Sequence, residues 1–308
     1  MNLRINADDF GIDHGRDFGI TLLCLIGCID SVSAFAVPRY SGCAIYRAIL
    51  RCFRPKLRVG LHVDLTDGPF QTERMQNMIG QKKFHDKRDF WLQAVMGDVH
   101  RDCVYHEIKA QISCFCTVFG YPPGHLDGHN HVHISNEEVY LAFRDIQKEY
   151  NLSPLRIPSE DLSAAQVEKL SARDGELAPL HLLRLLRSGP PWPSSEDVAP
   201  LADVVRLMRN SAICDVYLYA RCVDIIRRSG NKTCKQEFFG TFFGFEPSFR
   251  EAARIIRGSN RDIYREFMVH PGFNLGFNRS CKFSSYHRMR EAFILILVKA
   301  VSKLGLLR

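Results

Sequence analysis

Two adjacent carboxylates, Asp8 and Asp9, stand in the run Asn6-Ala7-Asp8-Asp9-Phe10-Gly11, directly after the apolar stretch Leu3 to Ile5. Both fall where a first strand should end. Imidazoles share that kind of address. His62 lies in Gly60-Leu61-His62-Val63-Asp64-Leu65-Thr66 after Leu57 to Val59, and His129 lies in His125-Leu126-Asp127-Gly128-His129-Asn130-His131-Val132-His133 after the turn Tyr121-Pro122-Pro123-Gly124. An acid and two imidazoles at three strand ends suggest a metal site, because a catalytic ion needs deprotonated, preorganised ligands and an open position for water. Arg156, in Leu155-Arg156-Ile157-Pro158, and His270, in Phe267-Met268-Val269-His270-Pro271-Gly272, add a guanidinium and a further imidazole at two more predicted strand ends.

The elements that must position these groups alternate. Leu3 to Ile5 is strand-like, Phe18 to Ile26 helical, Val32 to Val37 strand-like and Cys43 to Cys52 helical. Further strands are predicted at Leu57 to Leu61, ending near Asp127, at Leu155 to Ile157, around Phe238 to Phe243 and at Glu266 to Val269, with helices within Cys103 to Phe119 and at Glu137 to Tyr150. This is the rhythm of parallel α/β folds. It predicts seven or eight β/α units, and the reactive groups sit at strand C-termini spread along the chain, as barrel enzymes arrange them. The expectation is an irregular TIM-like β/α barrel forming a single domain over residues 1–308. A doubly wound sheet, whose ligands gather at one switch point, fits less well. Five prolines between Ala178 and Pro200 predict a long loop or insertion at 178–200.

The five motifs, in this order, resemble the YdjC/ChbG-like carbohydrate deacetylases from residue 2 to about residue 290, with a looser match between Ser159 and Gln236. The resemblance implies that Asp9, His62 and His129 hold one divalent cation, magnesium or zinc, with manganese also admissible. It makes Asp8 the general base. The bland alternative for Asp8 is an N-cap for the helix after Gly11, a role Asp performs well. His270 is placed to act as general acid, since an amine anion is too poor a leaving group to depart unassisted; a structural histidine stacked on Pro271 is its alternative. Arg156 would position Asp8, bind substrate or form a surface ion pair, and Asp127 would be a hydrogen-bond partner to a ligand imidazole. In an extended stretch His129, His131 and His133 would share one face, but metal binding is assigned to His129 alone. After Gly11 the chain departs from the family's small polar residue and asparagine, reading Ile12-Asp13-His14-Gly15-Arg16-Asp17, which bears on substrate contact rather than on the metal.

The activity so implied is metal-dependent removal of an acetyl group from an N-acetylated sugar or oligosaccharide. The alternatives are a metal-dependent phosphoesterase on a similar barrel and a non-catalytic sugar-binding protein. A hydrophobic fraction of 46% with 24% charged residues is that of a globular protein with a sizeable core. The net charge of +7 is spread along the chain, which argues against a nucleic-acid partner. Eleven cysteines without paired spacing give neither a disulfide framework nor a zinc ribbon. Cys24 and Cys28, at helical spacing, read as core. No basic region followed by a long apolar run marks a secretory signal, and the apolar run Ala292 to Val298 is far short of a bilayer span. A cytoplasmic enzyme without a membrane partner is expected, with a homodimer left open. Phe10-Gly11 after Asp9 is not a kinase motif, because the glycine-rich and catalytic loops are missing, and no P-loop or G-x-S-x-G elbow occurs.

Overall fold

The computed structural model describes residues 3–40, 42–52, 56–84, 87–158, 236–240, 248–258, 263–273 and 285–304. The proline-rich stretch 178–200 lies outside them. β1 (Leu3–Phe10) is central, hydrogen-bonded to β2 (Ser31–Ala34) on one side and to β6 (Tyr264–Val269) on the other. β3 (Arg58–Val63) and β4 (Leu126–Gly128) extend the sheet beyond β2, and β5 (Gln236–Phe239) lies outside β6. All five pairings are parallel.

Read across the sheet, the strands run β5, β6, β1, β2, β3, β4: consecutive strands are adjacent except β4 and β5, which form the two edges, and the last strand adjoins the first. A doubly wound sheet would instead step outward again past β1, leaving its last strand at the edge. The cyclic order makes the α/β assignment and excludes that alternative for the described strands. Leu155–Ile157 differs from expectation: it joins no ladder, although Leu155, Arg156 and Ile157 are buried. Its Arg156 carbonyl accepts a hydrogen bond from His133 Nε2 at 2.8 Å instead of from a strand.

The helices pack through period-3.6 apolar stripes. In α5 (Arg101–Phe119) Val104, Ile108, Ile112, Phe115 and Phe119 are buried, and in α6 (Glu137–Glu149) so are Val139, Phe143 and Ile146. Asn136 caps α6 by accepting from the Val139 amide, an interaction worth about 1 kcal/mol. α1 (His14–Leu25) and α2 (Cys43–Cys52) follow β1 and β2 as predicted. Four helices were not anticipated: α3 (Glu73–Ile79), α4 (Lys87–Met96), α7 (Phe249–Arg257) and α8 (Ser285–Lys303). Cys24 and Cys28 are buried in the core, the second just beyond the end of α1. Among the described residues no helix is long and apolar enough to cross a membrane.

Candidate metal centre and active site

The register of β1 against β2 slips between Ala7 and Phe10, and Asp9 takes a φ of +68°. The segment is therefore not regularly extended through both carboxylates. The irregularity re-aims the two side chains at a strand end, the use bulges commonly serve beside active sites. Asp8 and Asp9 are both buried. The helix cap belongs to Asp13, which accepts from the Arg16 amide at 2.9 Å, so Asp8 does not serve α1.

Asp9, His62 and His129 converge. Asp9 Oδ1 lies 3.4 Å from His62 Nε2 and 2.9 Å from His129 Nδ1, and the two nitrogens are 3.3 Å apart. A divalent ion about 2.0–2.1 Å from each donor would space them by roughly 3.3 Å in a tetrahedron and 3.0 Å in an octahedron, so the triangle fits either. The far nitrogen of each ring faces a carboxylate: His62 Nδ1 meets Asp127 Oδ1 at 2.6 Å and His129 Nε2 meets Asp67 Oδ2 at 3.2 Å. Donating those protons fixes each tautomer and turns the bare nitrogen toward the triangle. Asp127 is thus brought against the His62 ring. Asp67 was missed, although its position in the turn five residues after His62 was a signal.

Electrostatics agree with a cation site. Burial alone would raise the Asp9 carboxyl, but His129, His62 and Arg16 outweigh it and hold Asp9 well below the usual carboxylate range. Burial disfavours charge on His62, yet Asp127 and Asp8 push it up to about 10. His129 is raised as well, by Asp9 and Asp67 against burial. These carboxylates call for positive charge between the rings.

A model of the YdjC-like protein family matches residues 2–300. The chain belongs to this family. Over 157 residues it is 37% identical to a chitooligosaccharide deacetylase of Yersinia enterocolitica, covering 50% of this chain and 58% of that protein. Over 164 residues it is 34% identical to a carbohydrate deacetylase of Homo sapiens, covering 52% of this chain and 49% of that protein. The chain thus spans about half to three-fifths of the length of these curated relatives. It also superimposes on the crystal structure of an Enterococcus faecalis protein whose proposed role is cellobiose-phosphate cleavage, with a TM-score of 0.61, 20% identity and coverage of 98% and 94%. At that identity the likeness is one of fold.

In this YdjC-like chain Asp8 sits beside the triangle, held from below. Arg156 Nη1 and Nη2 donate to its two oxygens at 2.6 and 2.8 Å, and Asn6 Nδ2 donates to Oδ1 at 2.6 Å. Arg156 also reaches Glu266 at 2.7 Å and Asp127 at 3.0 Å. It is buried, not a surface ion pair, and burial's pull on its proton is overwhelmed by Asp127, Asp8 and Glu266. Ser33 ties the floor together, donating to Asp127 Oδ2 at 2.7 Å and accepting from Asn6 Nδ2 at 2.8 Å. His125 Nε2 is 3.0 Å from the same hydroxyl. Burial lowers His125 to about 4, so it is neutral and donates there. Its ring packs flat on Gly60, where a Cβ would come within 2.4 Å of it.

The three histidines after Gly128 do not share a face. Residues His129–Ile134 form a 3-10 turn in which Asn130 and His131 take φ of +53° and +56°. Only His129 joins the triangle; His133 bridges the Gly128 amide and the Arg156 carbonyl, and His131 packs edge-on to Phe238. Burial keeps His133 neutral, at about 4, and also holds His131 well below the usual imidazole range. His270 follows β6 directly, and the pairing of Ala7 with Val269 sets it level with Asp8.

Proposed function

We propose that this chain is a metal-dependent carbohydrate N-deacetylase that releases acetate and a free amine from an N-acetylated sugar or oligosaccharide. The observation that carries the reading is the Asp9–His62–His129 triangle with a separate carboxylate behind each imidazole, in a family whose relatives bear deacetylase names. One divalent cation, magnesium or zinc, with manganese admissible, would be held by those three residues; two nitrogens favour zinc, one carboxylate and open positions suit magnesium. When bound, the ion supplies charge that polarises the acetyl carbonyl and acidifies water.

The chain's own groups supply the rest. Asp8, fixed by Arg156 and Asn6, takes the proton of the attacking water. His270 donates a proton to the nitrogen as the C–N bond breaks, so that a neutral amine departs. Asp127 and Asp67 keep the two imidazoles in the tautomers that face the ion. The same reading takes the chain as one irregular β/α barrel domain, supported by the cyclic strand order, in the cytoplasm, supported by the free thiols of its described cysteines.

A phosphoesterase holding two or three ions needs more ligands. His131 and His133 are turned to Phe238 and the Arg156 carbonyl, and the Asp8–His62–Asp127 group is occupied by the Arg156 guanidinium. A non-catalytic sugar binder would need neither a clamped carboxylate nor a histidine level with it at the end of the neighbouring strand. The test is acetate release from a panel of N-acetylated mono- and oligosaccharides by metal-stripped protein given back magnesium, zinc or manganese. Release that requires metal and is lost in Asp9→Ala is expected. One firmly bound ion without release from any member would overturn the enzyme reading in favour of the binding protein, and more than one tightly bound ion would favour the phosphoesterase.

A further inference from the structure

α8 is apolar along most of its inner face, where Ala292, Leu295 and Val298 are buried, yet Arg288 and Glu291 are buried on it too. Taking such groups out of water costs free energy that packing alone does not require, since Leu or Met would fill the space. Both are spent on the main chain of His270. Glu291 Oε2 accepts the His270 N–H at 2.6 Å, and Arg288 Nη1 donates to the His270 carbonyl at 2.9 Å.

The pinning continues along His270-Pro271-Gly272-Phe273. Pro271 has no N–H to place, the Gly272 N–H donates to the Arg288 carbonyl at 3.2 Å, and the Phe273 N–H donates to the Gly15 carbonyl at 3.0 Å. Every N–H of the segment therefore has a named acceptor, on α8 or at the start of α1. The strap also lies against α1 so closely that a Cβ on Gly19 would come within 2.8 Å of the Gly272 Cα. Both contacts are made to the main chain at residue 270 rather than to its imidazole.

We propose that Glu291 and Arg288 are positioning residues that fix the His270 imidazole for proton donation by clamping its peptide from both sides. This rests on the deacetylase reading in that His270 is taken as the acid. Glu291 is the more telling of the two, because Gln can accept the same N–H through its amide oxygen whereas Met, of similar length, cannot. A residue that merely anchors α8 would affect the protein whether or not residue 270 is histidine.

The experiment is a kinetic double-mutant cycle on the metal-loaded full chain, with Glu291→Gln and Glu291→Met in the parent and in His270→Ala. Glu291→Gln should keep kcat within about threefold, and Glu291→Met should lower it by roughly 10- to 100-fold with little change in KM, as misplacement of a catalytic group does. In the His270→Ala background Glu291→Met should add less than about threefold, since residues acting as a unit are not additive. An equal loss in both backgrounds, or a change in KM alone, would overturn the proposal. Amide hydrogen exchange of the parent reads the clamp without activity or a foldable Met variant. The residue 270 amide should be strongly protected, and ordinary exchange there would refute the clamp. A protected amide in a parent that releases no acetate would count against the deacetylase reading instead.

Discussion

Asp67 lies 3.2 Å from Nε2 of His129, on the side of the ring away from Asp9. It does for His129 what Asp127 does for His62 at 2.6 Å. The two differ in setting, because Asp127 is buried and also held by Arg156 and Ser33, while the Asp67 side chain is 35% exposed. Loss of such a partner typically weakens metal binding by about 10- to 100-fold. Asp67→Ala should fall near the lower figure and Asp127→Asn near the upper one, read by calorimetric titration of zinc into stripped protein. Equal affinity in parent and Asp67→Ala would remove Asp67 from the site.

Metal uptake should be tied to pH. His62, raised to about 10, carries a proton at neutral pH in the metal-free protein, and His129 is shifted in the same direction, so its ring holds a proton to higher pH than a free imidazole does. A cation can bind only as these protons leave. Between one and two protons should be released per ion near pH 7, by the count of imidazoles involved, and affinity should fall as pH falls. Titrations in buffers of different ionisation enthalpy measure the release directly; a heat independent of buffer would contradict the protonated rings.

The convergence of Asp9, His62 and His129 was legible in the sequence because each closes a strand within a short motif: Asp9 after Leu3 to Ile5, His62 within β3, His129 just past β4. Their supports were less so. Asp127 stands two residues from His129 and was found, whereas Asp67 depends on the path of a turn and Glu291 on a helix 21 residues beyond the peptide it holds. α8 was read only as a short apolar run, since Arg288 and Glu291 interrupt its apolar face with polarity meant for the interior. The irregularity at Asp9 and the left-handed pair Asn130 and His131 escaped as well, because a period-2 pattern carries no sign of where a backbone leaves it.

Arg156 balances three buried carboxylates, Asp8, Asp127 and Glu266. Breaking a buried ionic network from one side costs more than the network is worth, because the remaining charges stay desolvated. Arg156→Met should therefore lose on the order of 3–5 kcal/mol in urea unfolding. Arg156→Lys should lose less stability yet still lower kcat, since an ammonium cannot hold both Asp8 oxygens in one plane. A Met variant within 1 kcal/mol of the parent, about the size of an ordinary surface change, would mean that the cluster is protonated rather than paired.

Glu291 gives a stability effect whose sign differs from that of most carboxylates. Burial pushes it up to about 8, against the opposing pull of Arg288 and Arg16. The folded protein thus binds its proton more tightly than the unfolded chain, where a glutamate titrates near its ordinary value of about 4.3. Stability from this group is fully present below that value and is lost as pH rises through about 8. Glu291→Gln carries no titrating proton and keeps an oxygen for the His270 amide, so it escapes the loss. Its unfolding free energy relative to the parent should rise between pH 5 and pH 9, by up to roughly 4 kcal/mol. Urea midpoints of the two metal-free proteins across that range decide the matter: a difference that stays flat, or shrinks as pH rises, would show that the carboxyl ionises as easily in the fold as outside it.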